Sequence, residues 1–140
     1  EIAQCLVGSE MCIRDRCVGP QNAEETEQTY DTLDKQMDDP YSIYNFVKQT
    51  ISIRNAFPEI ARGTNTFEKD LSNDNVCIFT REYNGEKAVL IFNPSKDEAS
   101  VDVSSLGVND AVAMLQTTKK APSYKDGTAK LPAYSVLVLK

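Results

Sequence analysis

The chain contains no histidine and no tryptophan. Without histidine, a Ser-His-Asp triad, a histidine general base and the usual catalytic zinc ligand sets are excluded for this chain acting alone. No apolar run approaches the roughly 20 residues needed to cross a bilayer, so no membrane span is expected. There is no basic stripe either, and Lys119-Lys120 is only a short exposed charge pair, so nucleic acid is not an expected partner. Glycine is sparse. Gly85 and Gly107 stand alone, outside any G-x-x-x-x-G-K pattern or strand-glycine-helix setting, which argues for turns and against a phosphate-binding loop. Cys5, Cys12, Cys17 and Cys77 form no C-x-x-C pair, and so low a count leaves the cellular compartment open.

What is present is an ordinary globular composition, 41% hydrophobic and 26% charged over 140 residues, enough for one domain of common size. The net charge of −6 is local. Residues 20–39 carry seven acids against Lys35 and account for all of it, so the rest of the chain sums to zero. That segment reads as a solvated connection, and the D-x-D-x-D-G spacing of a calcium loop is absent.

Residues Leu6 to Arg16 form an unusual string, Leu-Val-Gly-Ser-Glu-Met-Cys-Ile-Arg-Asp-Arg. It reads as one frame of a transposon-type sequencing-library adapter. Residues 1–16 are therefore expected to be an artefactual, disordered leader, with the sequence proper starting near Cys17. This assignment leaves Cys17 and Cys77; a disulfide between them is conceivable, but Cys77 lies within an apolar run and reads as a small core residue.

From Gln21 to Asp39 the chain reads as a loop with about one helical turn, anchored by Tyr30, Leu33 and Met37. Asp39-Pro40 supplies a helix start. Ile43, Phe46, Val47, Thr50 and Ile51 then share one helical face, while Tyr44, Ile53 and Phe57 spread apolar character around it. Pro58 ends the regular helix near Ala56, and Gly63 closes an irregular segment. So broad an apolar surface calls for a larger body, with the β-rich remainder covering one side.

Past Gly63 the period becomes extended. Strands are expected at Val76 to Tyr83 and Lys87 to Asn93, joined through Asn84-Gly85-Glu86, because Asn-Gly tolerates the positive φ angles of a tight hairpin. Ala88-Val89-Leu90-Ile91-Phe92 is apolar throughout and predicts a central strand buried on both faces. Further strands are expected at Ala99 to Val103, Ala111 to Leu115 and Ser135 to Leu139, with shorter pieces near Thr66 to Asp70 and Thr128 to Leu131, and a turn at Asp126-Gly127. The pattern implies a mainly β fold, an antiparallel Greek-key sandwich preceded by one long helix.

Carboxylates are the only candidate catalytic groups, and nothing pairs them. Asp70, Asp74, Glu82, Asp97, Glu98, Asp102 and Asp110 fall beside turns or on alternating strand positions, where solvated surface is expected. Tyr83, Tyr124 and Tyr134 could stack on sugar rings, although core or edge packing is the commoner role of such residues. No catalytic, cofactor-binding or metal-ligating residue is assigned.

The helix Tyr41 to Pro58, ending in Ile51-Ser52-Ile53-Arg54-Asn55-Ala56-Phe57-Pro58, resembles the last barrel helix of α-amylase family glycoside hydrolases, with an I-x-L-R-x-x-x-P ending in which Ile53 replaces Leu. Asn75 to Tyr83, Ala88 to Ser95 and Leu131 to Leu139 look like successive signatures of that family's C-terminal β domain. The resemblance implies that residues 17–62 are the end of a (β/α)8 catalytic barrel and 63–140 the C-terminal all-β domain. It implies a parent enzyme that cleaves α-glucosidic bonds of starch-like glucans or maltooligosaccharides with retention. The family's catalytic Asp nucleophile, Glu acid/base and second Asp lie on earlier barrel strands, so this chain is expected to be inactive alone. Its expected partners are the missing N-terminal barrel and, through the parent, α-glucan; its expected role is support of that barrel. No cofactor is expected in this chain, and calcium only in the parent. An extracellular or cell-surface bacterial location is favoured over the cytoplasm. The competing readings are a carbohydrate-binding β-sandwich module and an unrelated scaffold or interaction domain.

Overall fold

The computed structural model describes residues 30–140. The expected artefactual, disordered leader over 1–16, and Cys17, lie outside the described residues. From Thr32 to Lys140 the chain forms one compact unit.

Among the described residues three helices precede the strands, where one long helix was expected: α1 (Leu33–Asp38), α2 (Ile43–Ala56) and α3 (Pro58–Arg62). The start of α2 differs from expectation. Asp39 Oδ1 accepts from the Tyr41 backbone at 2.9 Å, making a local turn, and Ser42 is the cap, its hydroxyl accepting from Asn45 N at 3.3 Å. Asn45 Nδ2 then donates to Gln36, Met37 and Asp39 carbonyls at 3.0, 3.1 and 2.8 Å, tying α1 to the first turn of α2. The end is as expected. Pro58 holds Phe57 extended at φ −116°, ψ 98°. Beyond it the chain is not irregular: Pro58 occupies the opening position of α3, where a missing N–H costs no bond.

Eight strands follow: β1 (Thr64–Phe67), β2 (Cys77–Tyr83), β3 (Glu86–Asn93), β4 (Ala99–Asp102), β5 (Ala111–Leu115), β6 (Ser123–Lys125), β7 (Thr128–Leu131) and β8 (Ser135–Leu139). All pairings are antiparallel, in one sheet ordered β1-β2-β3-β8-β5 and another ordered β4-β7-β6. The chain is thus mainly β, as its alternation implies. The β2–β3 hairpin closes through two residues, with Asn84 at φ 51° and Gly85 at φ 83°, and Tyr83 pairs with Glu86. β6 was not foreseen, because Ser123-Tyr124-Lys125 carries no apolar alternation; pairing with β7 across the Asp126-Gly127 turn makes it a strand.

Alternation sets the core. Ile78, Ile91 and Leu137 lie opposite one another across β2, β3 and β8, all fully buried. They meet Ala129 and Leu131 of the second sheet, with Val103 and Val108 from the connections. Burying each large aliphatic side chain is worth about 1.5–3 kcal/mol. The central position of β3 explains its unbroken apolar run. Its second face carries Leu90 and Phe92, half-buried rather than sealed. There Phe67, Phe79 and Phe92 form a ladder with ring centroids 5.3 and 5.9 Å apart.

Buried Asn93 joins the two sheets at the end of β3. Its Nδ2 donates to the carbonyls of Asp97, Leu131 and Pro132 at 2.8, 3.1 and 2.9 Å, and its Oδ1 accepts from Ser95 N and Oγ at 3.0 and 2.7 Å.

Candidate functional site

The carboxylates nominated by the sequence do not converge. Asp70, Asp74, Glu82, Asp97, Glu98, Asp102 and Asp110 are all exposed. Glu98 pairs with Lys120, whose ammonium holds its carboxyl below the ordinary value. Hydrogen bonds from Ser104, side chain first and then backbone, do the same for Asp102. Among the described residues no three potential ligands are grouped to hold a metal, and no helix is long and apolar enough to cross a membrane.

The tyrosines do not share a platform. Tyr83 ends β2 beside the hairpin turn, whereas Tyr134 donates its backbone N–H to Ser95 near the opposite end of β3. A strand of that length separates them by roughly 25 Å at about 3.3 Å per residue. Tyr124 lies in the other sheet, half-buried against the core, its hydroxyl donating to Val108 O at 2.9 Å. Tyr134, at φ 51°, lines a shallow cleft of about 220 Å³ with Phe46, Phe92 and Pro94.

The exposed apolar surface is instead concentrated on the helices. No residue of α2 is fully buried, but its sides differ as expected: Phe46 and Ile53 are half-buried, Phe46 beside Phe92 and Val136 of the sheet, and the other side is open. Ile43, Val47 and Ile51, one turn apart, are 51%, 49% and 54% exposed. Leu33, expected as an anchor, is also exposed, as are Tyr30 and Met37. Leu33, Tyr44 and the α2 stripe line an open groove of about 470 Å³. An exposed stripe at this spacing marks a surface built to be covered.

Sequence reasoning passed over one functional group, Glu59. It is the single buried residue of α3, and Lys140 Nζ lies 2.5 Å from its Oε1. Oε1 accepts no directed hydrogen bond, so the contact is an ion pair. The Lys140 ammonium above all, then the residue's own backbone N–H, hold the Glu59 carboxyl below its ordinary value against the opposing effect of burial. Glu59 and Glu86 in turn raise Lys140 above its ordinary value. A glutamate directly after Pro58 signals a helix start, but nothing local signals its burial.

Two antiparallel sheets, preceded by helices with an uncovered apolar face, define an antiparallel β-sandwich domain. Residues 70–138 match the family described as Maltogenic Amylase, C-terminal domain. The chain belongs to the α-amylase family of glycoside hydrolases, as a C-terminal β-sandwich portion. Among solved structures it is similar to Eubacterium rectale Amy13B, at 98% identity and TM-score 0.83, over 89% of this chain and 24% of that one. The trehalulose synthase MutB from Pseudomonas mesoacidophila MX-45 is similar at 23% identity and TM-score 0.63, over 76% of this chain and 19% of that one, a likeness of fold. The chain therefore spans about a quarter of the length of the first of these relatives. No curated protein matches.

Proposed function

We propose that this chain supports the catalytic barrel of a retaining α-glycosidase acting on α-glucosidic bonds of starch-like glucans or maltooligosaccharides. In this reading residues 17–62 end the barrel, 63–140 form the C-terminal domain, and the chemistry belongs to the remainder of the enzyme. The observation that carries it is the uncovered stripe Ile43, Val47 and Ile51. Three aliphatic side chains near half exposure gain about 3 kcal/mol on being covered, a reward that a self-sufficient domain would leave unclaimed. The solved relative supports it, since the matched part is 24% of that chain.

The test supplies the rest of an Amy13B-like enzyme in trans. The purified chain alone should release no sugar from starch or maltooligosaccharides and run unretarded on a starch gel. Added to the barrel portion, it should co-purify with it and raise its thermal stability. Sugar release by the chain alone would overturn the reading, and retardation by starch together with failure to bind the barrel would replace it with a carbohydrate-binding module.

A further inference from the structure

Helix α3 has five residues and one buried side chain. A helix that short has no stability of its own, so what holds it decides where the preceding helix points. An aliphatic residue at position 59 would be the ordinary way to seat it. A carboxylate there is costly unless paired.

The pairing is specific. Lys140 Nζ lies 2.5 Å from Glu59 Oε1 and 3.2 Å from Glu86 Oε2, so one ammonium spans α3 and the start of β3. Its backbone is fixed independently: Lys140 O accepts from Asn109 N and Asp110 N at 2.7 and 2.9 Å, and Lys140 N donates to Asp110 O at 3.0 Å. From β2, Arg81 reaches the other end of the helix, donating through its guanidinium to Ile60 O at 2.9 Å and Glu59 O at 3.4 Å. Glu59 O also accepts the Gly63 N–H that closes the helix, at 2.9 Å, so Arg81 adds to that cap and serves Ile60 O beside it. Gly63 completes the joint. A Cβ there would meet Glu59 O at 2.4 Å and Glu82 O at 2.9 Å, so the chain leaves α3 through a space that admits no side chain.

We infer that Glu59, Lys140, Glu86 and Arg81 form a charged clasp that registers α3 on the sheet and thereby fixes the direction of α2 relative to the β domain. Apolar contacts would tolerate a slide along the phenylalanine ladder. A buried carboxylate paired with an ammonium whose backbone is anchored at both polar groups tolerates one position. Glu59 and Lys140 are positioning residues. Resting on the reading of α2 as a barrel helix, the clasp is the place where the β domain grips the barrel.

The test separates position from stability. Glu59→Met keeps the volume and removes the charge, and burial of a well-packed apolar side chain in place of an ion pair is often close to neutral. In the 140-residue chain its urea midpoint should therefore stay near that of the parent. Amides of residues 43–62, followed by hydrogen exchange and mass spectrometry, should nevertheless exchange about ten-fold faster, with the β3 and β8 amides unchanged. Lys140→Met should reproduce the pattern, and the double substitution should add little to either. Should Glu59→Met fail to fold, the half-exposed Lys140→Met carries the same measurement. Unchanged exchange over 43–62, or loss spread evenly through the sheets, would overturn the clasp. The trans-complementation result reports separately on whether α2 meets a barrel.

Discussion

Replacing Asn93 should strike the fold harder than any surface change of equal size. Asn93→Ala deletes the donor group shared by Asp97, Leu131 and Pro132 carbonyls and the acceptor of two bonds from Ser95. Pro132 O retains the Ser135 hydroxyl at 2.7 Å. Asp97 O retains the Ser95 hydroxyl at 3.0 Å. Leu131 O loses its side-chain donor but keeps its place in the β4–β7 ladder opposite Ala99. Two or three net hydrogen bonds at about 1 kcal/mol each sum to about 3 kcal/mol. That is a large share of the roughly 5–15 kcal/mol that holds a domain, and at about 4 °C per kcal/mol for a chain of this size it lowers the melting temperature by about 12 °C. Urea unfolding of the chain, followed by circular dichroism, reads the difference. Asn93→Asp is the informative control. It keeps an acceptor for Ser95 but presents lone pairs to three carbonyls, so at neutral pH it should cost at least as much as alanine. Burial and those carbonyls favour the protonated acid, whose O–H can donate, so its deficit should narrow under acid. The reasoning is refuted if Asn93→Ala costs under about 1 kcal/mol, well below that sum, or if the Asn93→Asp deficit is the same at neutral and acidic pH.

The remaining expectations are simpler to test. Because the Glu59 pKa is lowered in the folded chain, its stabilising contribution is complete above the ordinary glutamate range and disappears as pH falls through the folded value. Lys140, raised in the folded chain, contributes below its ordinary pKa and loses that contribution as pH climbs through the higher folded one. Glu59→Gln should flatten the acid arm of a stability–pH curve, and an unaltered arm would count against the pairing. Gly85→Val forces a β-branched residue to φ 83° at the hairpin tip and should cost about 1–2 kcal/mol by urea titration. Val47→Lys, on a half-exposed position of α2, should move the isolated chain by no more than about 0.5 kcal/mol yet weaken its capture of the barrel portion in a pull-down. Equal effects in both settings would remove the stripe from the interface.

Much of the architecture was legible in the sequence where the signal is local. Asn84-Gly85 placed the hairpin, because few dipeptides adopt two positive φ angles cheaply. Pro58 placed the end of α2 by excluding helical geometry at Phe57. The misplaced start of α2 has an equally local cause. Asp39 and Ser42 are both competent caps, and the choice fell to Ser42 when Asn45 folded back onto the α1 carbonyls. The third helix was missed because the proline that stops one helix is also suited to open the next.

The candidate residues divide in the same way. That Asp70, Asp74 and their companions are exposed follows from their turns and alternation, which dictate the face of a strand at each position. Which strands become neighbours does not follow, since β8 inserts between β3 and β5 through contacts made by residues far apart in sequence. That ordering sends Tyr83 and Tyr134 to opposite ends of β3 and puts Tyr124 in the other sheet, dissolving the platform that a linear reading could entertain.

By itself, then, the sequence determined the element types, the hairpin, the buried central strand and the resemblance to the α-amylase family, because backbone preference and alternation act over a few residues. Only the tertiary structure decided which side of α2 stays uncovered, that of Ile43, Val47 and Ile51, and that Glu59 is buried against Lys140. Those outcomes depend on which surfaces arrive opposite each other after folding. Glu59 and Lys140 lie far apart along the chain, and no local rule joins them.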